Sequence, residues 1–265
     1  MLNRYYLLSS IILFLIFTNA RAQEFDSTTA SSGTFIAMPL VNNNPVMKFS
    51  LGGIGMYIFP FSKADTISPL STVMLMGLYS TNNSYVFLMP TALFFGDDYY
   101  RITAAVITSR INNNFVYNYE GSDITLVYSE LRWMYIAEFS LQFWKDFYAG
   151  LLYAGFLTNY KYDKGTEEEN NFTKSLFEQL GIKDNYTSSI GLKLSFDNRD
   201  YIYNATEGYN LTLRTMYYAK WLGSENEYGN VVYDFKYYHT LFPENVIALA
   251  LPGLKTPLFQ IEKLP

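Results

Sequence analysis

The chain contains no cysteine and a single histidine, His239. The first absence excludes disulfides, thiolate metal sites, a catalytic thiol and a lipidated N-terminal cysteine, since each needs a sulfur. The second excludes a metal site built from several imidazoles, and no cofactor of any kind is expected. Charge is also scarce, at 16% of 265 residues, where ordinary soluble domains carry about a quarter. Basic residues are not in excess: 19 Lys and Arg against 24 Asp and Glu leave a formal charge of −5. No face suited to neutralising phosphates is apparent, so nucleic acid is not an expected partner. Beyond the N-terminus no apolar run approaches the ~18–20 residues that a membrane-spanning helix requires.

Aromatic residues are abundant instead: 18% of the chain, with 25 Tyr and 21 Phe. Residues 1–22 read as an export signal. Arg4 supplies the positive start, Leu7 to Phe17 the apolar stretch, and Ala20-Arg21-Ala22 the small-x-small cleavage pattern. Its removal takes Arg4 and Arg21 with it, so the mature chain is more acidic still. The expected organisation is a signal peptide (1–22), a short N-terminal periplasmic segment (23–34), an outer-membrane β-barrel (35–251) and an irregular tail (252–265).

The barrel expectation rests on a period of two. Between Tyr128 and Trp144 one parity reads Leu131, Trp133, Tyr135, Ala137, Phe139, Leu141, Phe143; the other reads Glu130, Arg132, Met134, Ile136, Glu138, Ser140, Gln142. Ile190, Leu192, Leu194 and Phe196 alternate in the same way with Ser189, Lys193, Ser195 and Asp197. Strands of soluble proteins have a mode of about 5–6 residues, whereas membrane strands need ~9–11. Segments of the longer kind fall at about 35–42, 46–59, 70–80, 84–95, 99–110, 128–144, 147–162, 187–197, 208–220, 229–241 and 246–251. The fold class is therefore all-β, an antiparallel transmembrane β-barrel with ten or eleven strands in this sequence.

Two sets of connections separate these segments. One set contains FPFSKADTISP, FFGDDYY, FWKDFY, FDNRDYIYNATEG and LFPEN, and is flanked by aromatics. The other contains NNNP, STNNS, the stretch from Asn112 to Asp123, the long Asp163–Tyr186 insert and LGSENE. Tyr and Trp suit a membrane interface, and outer-membrane barrels keep their longer loops outside. The first set is accordingly assigned to the periplasm. A barrel with both ends there needs an even strand count. After Leu251 the alternation stops and Pro252, Pro257 and Pro265 intervene; truncation, or a tail foreign to the barrel, is the expectation, with a ten-stranded barrel as the alternative.

The stretch GLKLSFDNRDYIYNATEGYNLTL resembles the strand-turn-strand signature of the BamA/TamA type of outer-membrane barrel, the bacterial surface antigen family. The family's usual form is D-x-R-D followed by P-x-x-G; Asp197, Arg199, Asp200 and Gly208 match, while Ala205 stands where proline is usual. The PLVNNNPVMKFSLGGIGMYIF opening and the ALFFGDDYYRI hairpin are similar in order and spacing, so the resemblance extends over about residues 35–250. It implies a barrel of sixteen strands, of which this chain carries a part. The family's late Arg-Gly loop has no counterpart in this sequence. The chain resembles compact members without periplasmic domains, so assembly or secretion activity does not carry over. The implied partners are outer-membrane lipids and, during insertion, the outer-membrane assembly machinery.

The four motif residues read as an ion-paired turn or as a catalytic group, and the turn is preferred because such pairs are common and individually weak. Arg101, Glu130, Arg132, Glu138, Lys193, Arg214, Asp234 and Lys236 fall on the inward parity. They either fill the lumen or tune a pore; facing lipid they would cost ~2–4 kcal/mol each at the midplane. His239 shares the apolar parity of Tyr233, Tyr237 and Leu241, which favours an interfacial role over a general base. Asp97-Asp98 reads as turn chemistry. Gly52 to Gly55 is no phosphate loop, because no helix follows it. The chain is expected to be non-enzymatic, with an outer-membrane protease or lipid acyltransferase as the alternative and a secreted soluble β-sandwich as a third reading.

Overall fold

In the computed structural model the chain divides into Met1–Ser32 and Gly33–Pro265. The structure describes residues 33–119, 122–242, 245–251 and 256–260. The expected signal peptide and the segment that follows it, up to residue 32, lie outside these residues.

Residues from Thr34 onward form one antiparallel sheet. In chain order its strands are β1 (Thr34–Asn44), β2 (Lys48–Phe59), β3 (Ser71–Ser80), β4 (Tyr85–Phe95), β5 (Tyr100–Tyr119) and β6 (Ser122–Trp144). They are followed by β7 (Phe147–Lys161), helix α1 (Glu167–Gln179), β8 (Asn185–Asp197), β9 (Gly208–Tyr218), β10 (Tyr228–Phe242), β11 (Asn245–Leu251) and β12 (Thr256–Gln260). Each strand from β1 to β10 pairs with the next, and β12 pairs with β10 beside β11. Among the described residues β1 and β11 do not pair with each other, so the sheet has two open edges.

The sheet is polar where a water-soluble protein is greasy. Ser50, Glu138, Ser140, Ser189, Ser195 and Asp197 are buried on one face. On the other, Leu51, Trp133, Phe139, Leu151, Leu192 and Leu194 are exposed. Trp133 is 46% and Phe139 42% accessible, which is incompatible with the interior of a soluble sandwich. A single-layer sheet can enclose one face only by curving over it. The side-chain contacts agree: Glu138 on β6 meets Arg214 on β9 at 2.6 Å, although their strands lie three steps of ~4.8 Å apart.

Three expectations are corrected by the pairing. The stretch from Asn112 to Asp123 is no loop; β5 and β6 continue as a hairpin to Tyr119↔Ser122. The three asparagines at 112–114 suggested a turn, but Phe115, Val116 and Ile124 to Val127 sustain a ladder. The insert after Lys161 contains α1, which Thr166 caps in a reciprocal box with Glu169. Gly181 (φ 69°) closes that helix, with Gly181 N–H donating to Glu178 O and Ile182 N–H to Phe177 O. Residues 256–260, expected within an irregular tail, pair with Val231 to Tyr228 of β10.

Proline in the interior of the sheet has a visible cost. The β3–β4 ladder pairs Val73↔Thr91 and resumes at Met76↔Leu88. It lapses where Met74 faces Pro90 and Leu75 faces Met89, because Pro90 has no N–H to donate.

Candidate functional site

Among the described residues four connections, 60–70, 96–99, 145–146 and 198–207, lie at one end of the sheet, the end that carries the Asp-x-Arg-Asp stretch. Here Asp197 is the last residue of β8, and its carboxylate is 4% exposed. It accepts from Arg199 Nε at 2.7 Å and Nη2 at 3.0 Å, a bidentate fork, and from Arg101 Nη1 at 2.9 Å. Arg101 comes from β5, three strands away, so this pairing depends on the curvature of the sheet. The same guanidinium donates to both oxygens of Asp98, at 2.9 and 2.7 Å, and to the Tyr148 hydroxyl at 2.8 Å. It also lies 3.7 Å from the Tyr148 ring centroid, a cation–π stack. Tyr148 in turn donates to Asp98 at 2.7 Å. A buried carboxylate, a second carboxylate and two guanidiniums, these three only partly exposed, thus meet with every charge answered.

Asp98 holds more than the turn role expected of it. Gly96, Asp97 and Asp98 all have positive φ, at 69°, 56° and 63°. This tight reversal aims Asp98 back at Arg101, three residues ahead. The neighbouring connection secures it: Asp97 N–H donates to Asp65 and Asp98 N–H to the Ser68 hydroxyl. Burial raises the Asp65 pKa, but hydrogen bonds from the Ser68 hydroxyl and amide and from the Asp97 and Ile67 amides outweigh it and lower the value to about 2.

Asp200 organises the turn itself. Its carboxylate accepts from the amides of Tyr201, Thr206 and Glu207 and from the Thr206 hydroxyl. Against a raising contribution from burial, these bonds lower its pKa. Arg199 Nη1 donates to the Ile202 carbonyl at 3.0 Å, closing the reversal from within. Gly208 has φ 95°, and a Cβ there would stand 2.5 Å from the Asn198 carbonyl oxygen. Both conditions that reserve a position for glycine therefore meet at Gly208.

The remaining charges expected on the inward parity lie in three groups. Glu138, 4% exposed, takes Lys193 at 2.8 Å and Arg214 at 2.6 Å. Arg132 pairs with Glu130 two residues before it, and Lys236 with Asp234 at 3.7 Å. The first group is enclosed, while Arg132 and Lys236 are about half exposed. His239 is exposed beside Tyr237, with ring centroids 6.3 Å apart. Among the described residues no group of His, Asp and Glu side chains is placed to hold a metal.

Aromatic rings run along the same end. Phe61, Phe95 and Tyr100 stack in series at 4.8 and 5.2 Å, while Phe196 meets Phe147 edge-on at 4.5 Å and stacks on Tyr209 at 5.0 Å. The connections here are not uniformly short, since residues 60–70 and 198–207 are both long. Sequence reasoning took Tyr148 only as one of the aromatics flanking a turn; it is buried on the same parity of β7 as Leu152, with no charge to mark its role. Helix α1 was missed, although Thr166-x-x-Glu169 and Gly181 were visible as start and stop signals.

Comparison with protein families matches residues 77–255, more than half of the chain, to the Omp85 superfamily domain. The matched span contains the whole Asp197–Gly208 stretch; the similarity read in the first two strands falls outside it. Among solved structures the chain is similar to BamA from Haemophilus ducreyi lacking POTRA domains 1–3. That similarity has 14% identity and a TM-score of 0.41, covering 82% of this chain and 39% of that one. Comparison with curated proteins gives no match.

Proposed function

Because the chain belongs to the Omp85 superfamily of outer-membrane β-barrels, we propose that it resides in the bacterial outer membrane and serves a structural or transport role there, without catalysis. The observation that supports this reading most directly is the inverted sheet, with charge enclosed and large apolar side chains exposed. Water would not leave such a surface uncovered, whereas hydrocarbon solvates it and leaves the polar face to a lumen. On this reading Arg101, Glu130, Arg132, Glu138, Lys193, Arg214, Asp234 and Lys236 line the interior, and the end bearing Asp197 faces the periplasm. Outer-membrane lipids are the solvent of the exposed face, and the assembly machinery acts on the chain during insertion.

The ion-paired cluster is read as structural. Every carboxylate in it is held by a guanidinium or a hydroxyl, which leaves no free base for a substrate. Two measurements test the proposal. Fractionation of cells expressing the full chain should place it with outer-membrane markers, and the purified protein in planar bilayers should give discrete conductance steps. Recovery in the aqueous phase as a folded monomer without detergent would refute residence in the membrane. An absence of conductance would leave only the structural role.

A further inference from the structure

The connection at 198–207 does not stay over its own two strands. The Tyr203 hydroxyl donates to the Leu70 carbonyl at 3.0 Å and shares a 3.3 Å hydrogen bond with the Thr72 hydroxyl. Leu70 and Thr72 stand at the start of β3, five strands from β8 in the sheet order. Along the sheet that separation is ~24 Å. In the opposite direction the Thr240 hydroxyl of β10 donates to the Thr206 carbonyl at 3.2 Å. Asp197, at the root of the connection, is tied to Arg101 of β5. One ten-residue segment is therefore bonded to β3 and β10, and the strand residue at its root to β5.

A segment bonded to strands this far apart on a curved sheet must run across the opening, as a chord to the arc. It is also stiff. Asp200 gathers three backbone amides and a hydroxyl, and Arg199 reaches the Ile202 carbonyl, so the middle of the segment is braced by its own side chains. Its far anchor is much weaker than its root. The root is a buried double ion pair, whereas the tip depends on one tyrosine hydroxyl whose residue is 57% exposed.

We propose that residues 198–207 form a strap across the mouth of the sheet, hinged at Asp197 and latched by Tyr203 to Leu70 and Thr72, and that release of this latch widens the passage. The proposal rests on the transport reading given above. It specifies which end of the passage is narrowed and which residue lets go. Uncharged hydrogen bonds at the latch and ion pairs at the root mean that the strap swings from β3 while its base stays fixed.

The absence of native cysteine makes the test clean. In full-length protein inserted into planar bilayers, Tyr203→Ala and the milder Tyr203→Phe should raise single-channel conductance, by roughly twofold or more for the alanine variant, since pore diameter sets throughput. A Thr72→Cys/Tyr203→Cys double variant, bridged by a reducible bis-methanethiosulfonate reagent, should hold the low-conductance state until reductant is added. Heat-modifiable gel migration reports whether each variant is folded. Failure of the bridge to form in folded, inserted protein overturns the strap. A bridge that forms while conductance ignores it overturns the latch as a gate. Silence of every form, Tyr203→Ala included, rejects the transport reading and the gate together, an outcome distinct from a conducting channel that is indifferent to the strap.

Discussion

The two ends of the sheet are held by different forces. At the end with the Asp-x-Arg-Asp turn, Asp98, Arg101, Asp197 and Arg199 interlock across four strands, and the aromatic rings lie outside them. At the other end the β5–β6 hairpin outruns its neighbours, since β4 pairs only as far as Arg110 and β7 only as far as Ser129. There α1 covers the exposed edge of β6. The Thr173 hydroxyl accepts from Val127 N–H at 3.2 Å, and Phe177 packs edge-on against Tyr128, Tyr160 and Tyr162. Buried charge binds the first end, whereas a helix resting on rings stabilises the second. The first arrangement is brittle, because one lost partner strands a charge. The second is modular, because the helix can detach and leave the ladder intact.

The largest expected effect falls on the brittle end. Asp197→Asn leaves Arg101 and Arg199 short of a counter-charge and should destabilise the fold by about 3–5 kcal/mol, the usual result of breaking a buried pair. Urea titration followed by heat-modifiable migration measures it. Phe177→Ala removes the ring on which α1 rests, at a local cost of about 3 kcal/mol. The contrast between the ends predicts that its hydrogen-exchange signature stays within α1 and residues 122–128. If protection is lost throughout the sheet, the modular description of that end is wrong.

Gly208→Ala forces a Cβ against Asn198 at a positive φ and should cost about 1–3 kcal/mol. The same substitution at Gly77, where a Cβ meets nothing within 4 Å, is the matched control and should be nearly silent. Acid should weaken the turn end first. The folded-state pKa values of Asp65 and Asp200 lie below their unfolded values, so their stabilisation is complete above about pH 4. It is lost as the pH falls through the folded values, toward pH 2 for Asp65. A pH series of exchange protection at the amides of Ile67, Asp97 and Thr206 checks this, with the amides of α1 as reference. The smallest effect is a gain: Pro90→Ala restores a donor to the lapsed β3–β4 ladder and should stabilise by about 0.5–1.5 kcal/mol.

Much of this architecture was readable along the chain. The alternation at 128–144 and 187–197 gave both the strands and the faces, since period two assigns each residue a side. Lys193 and Glu138 were recognisable as enclosed charges by parity alone. Arg199 and Asp200 announced a tight reversal, and Gly208 its special backbone. Reading failed where a local signal competed with pairing, as at Asn112 to Asn114, whose polarity suggested a loop inside a strand. It failed at α1 because thirteen residues of polar helix show little periodicity, and only the capping residues marked it.

By itself the sequence determined that the chain forms long two-faced strands and that the exposed side is apolar, because those properties depend only on the order of residues along an extended backbone. The tertiary structure alone decided which charges meet. Arg101 and Asp197 are separated by nearly a hundred positions and three strands, and nothing in their surroundings names the other. Curvature of the sheet brings them together, and curvature is a collective property of all the strands, fixed only once they pair.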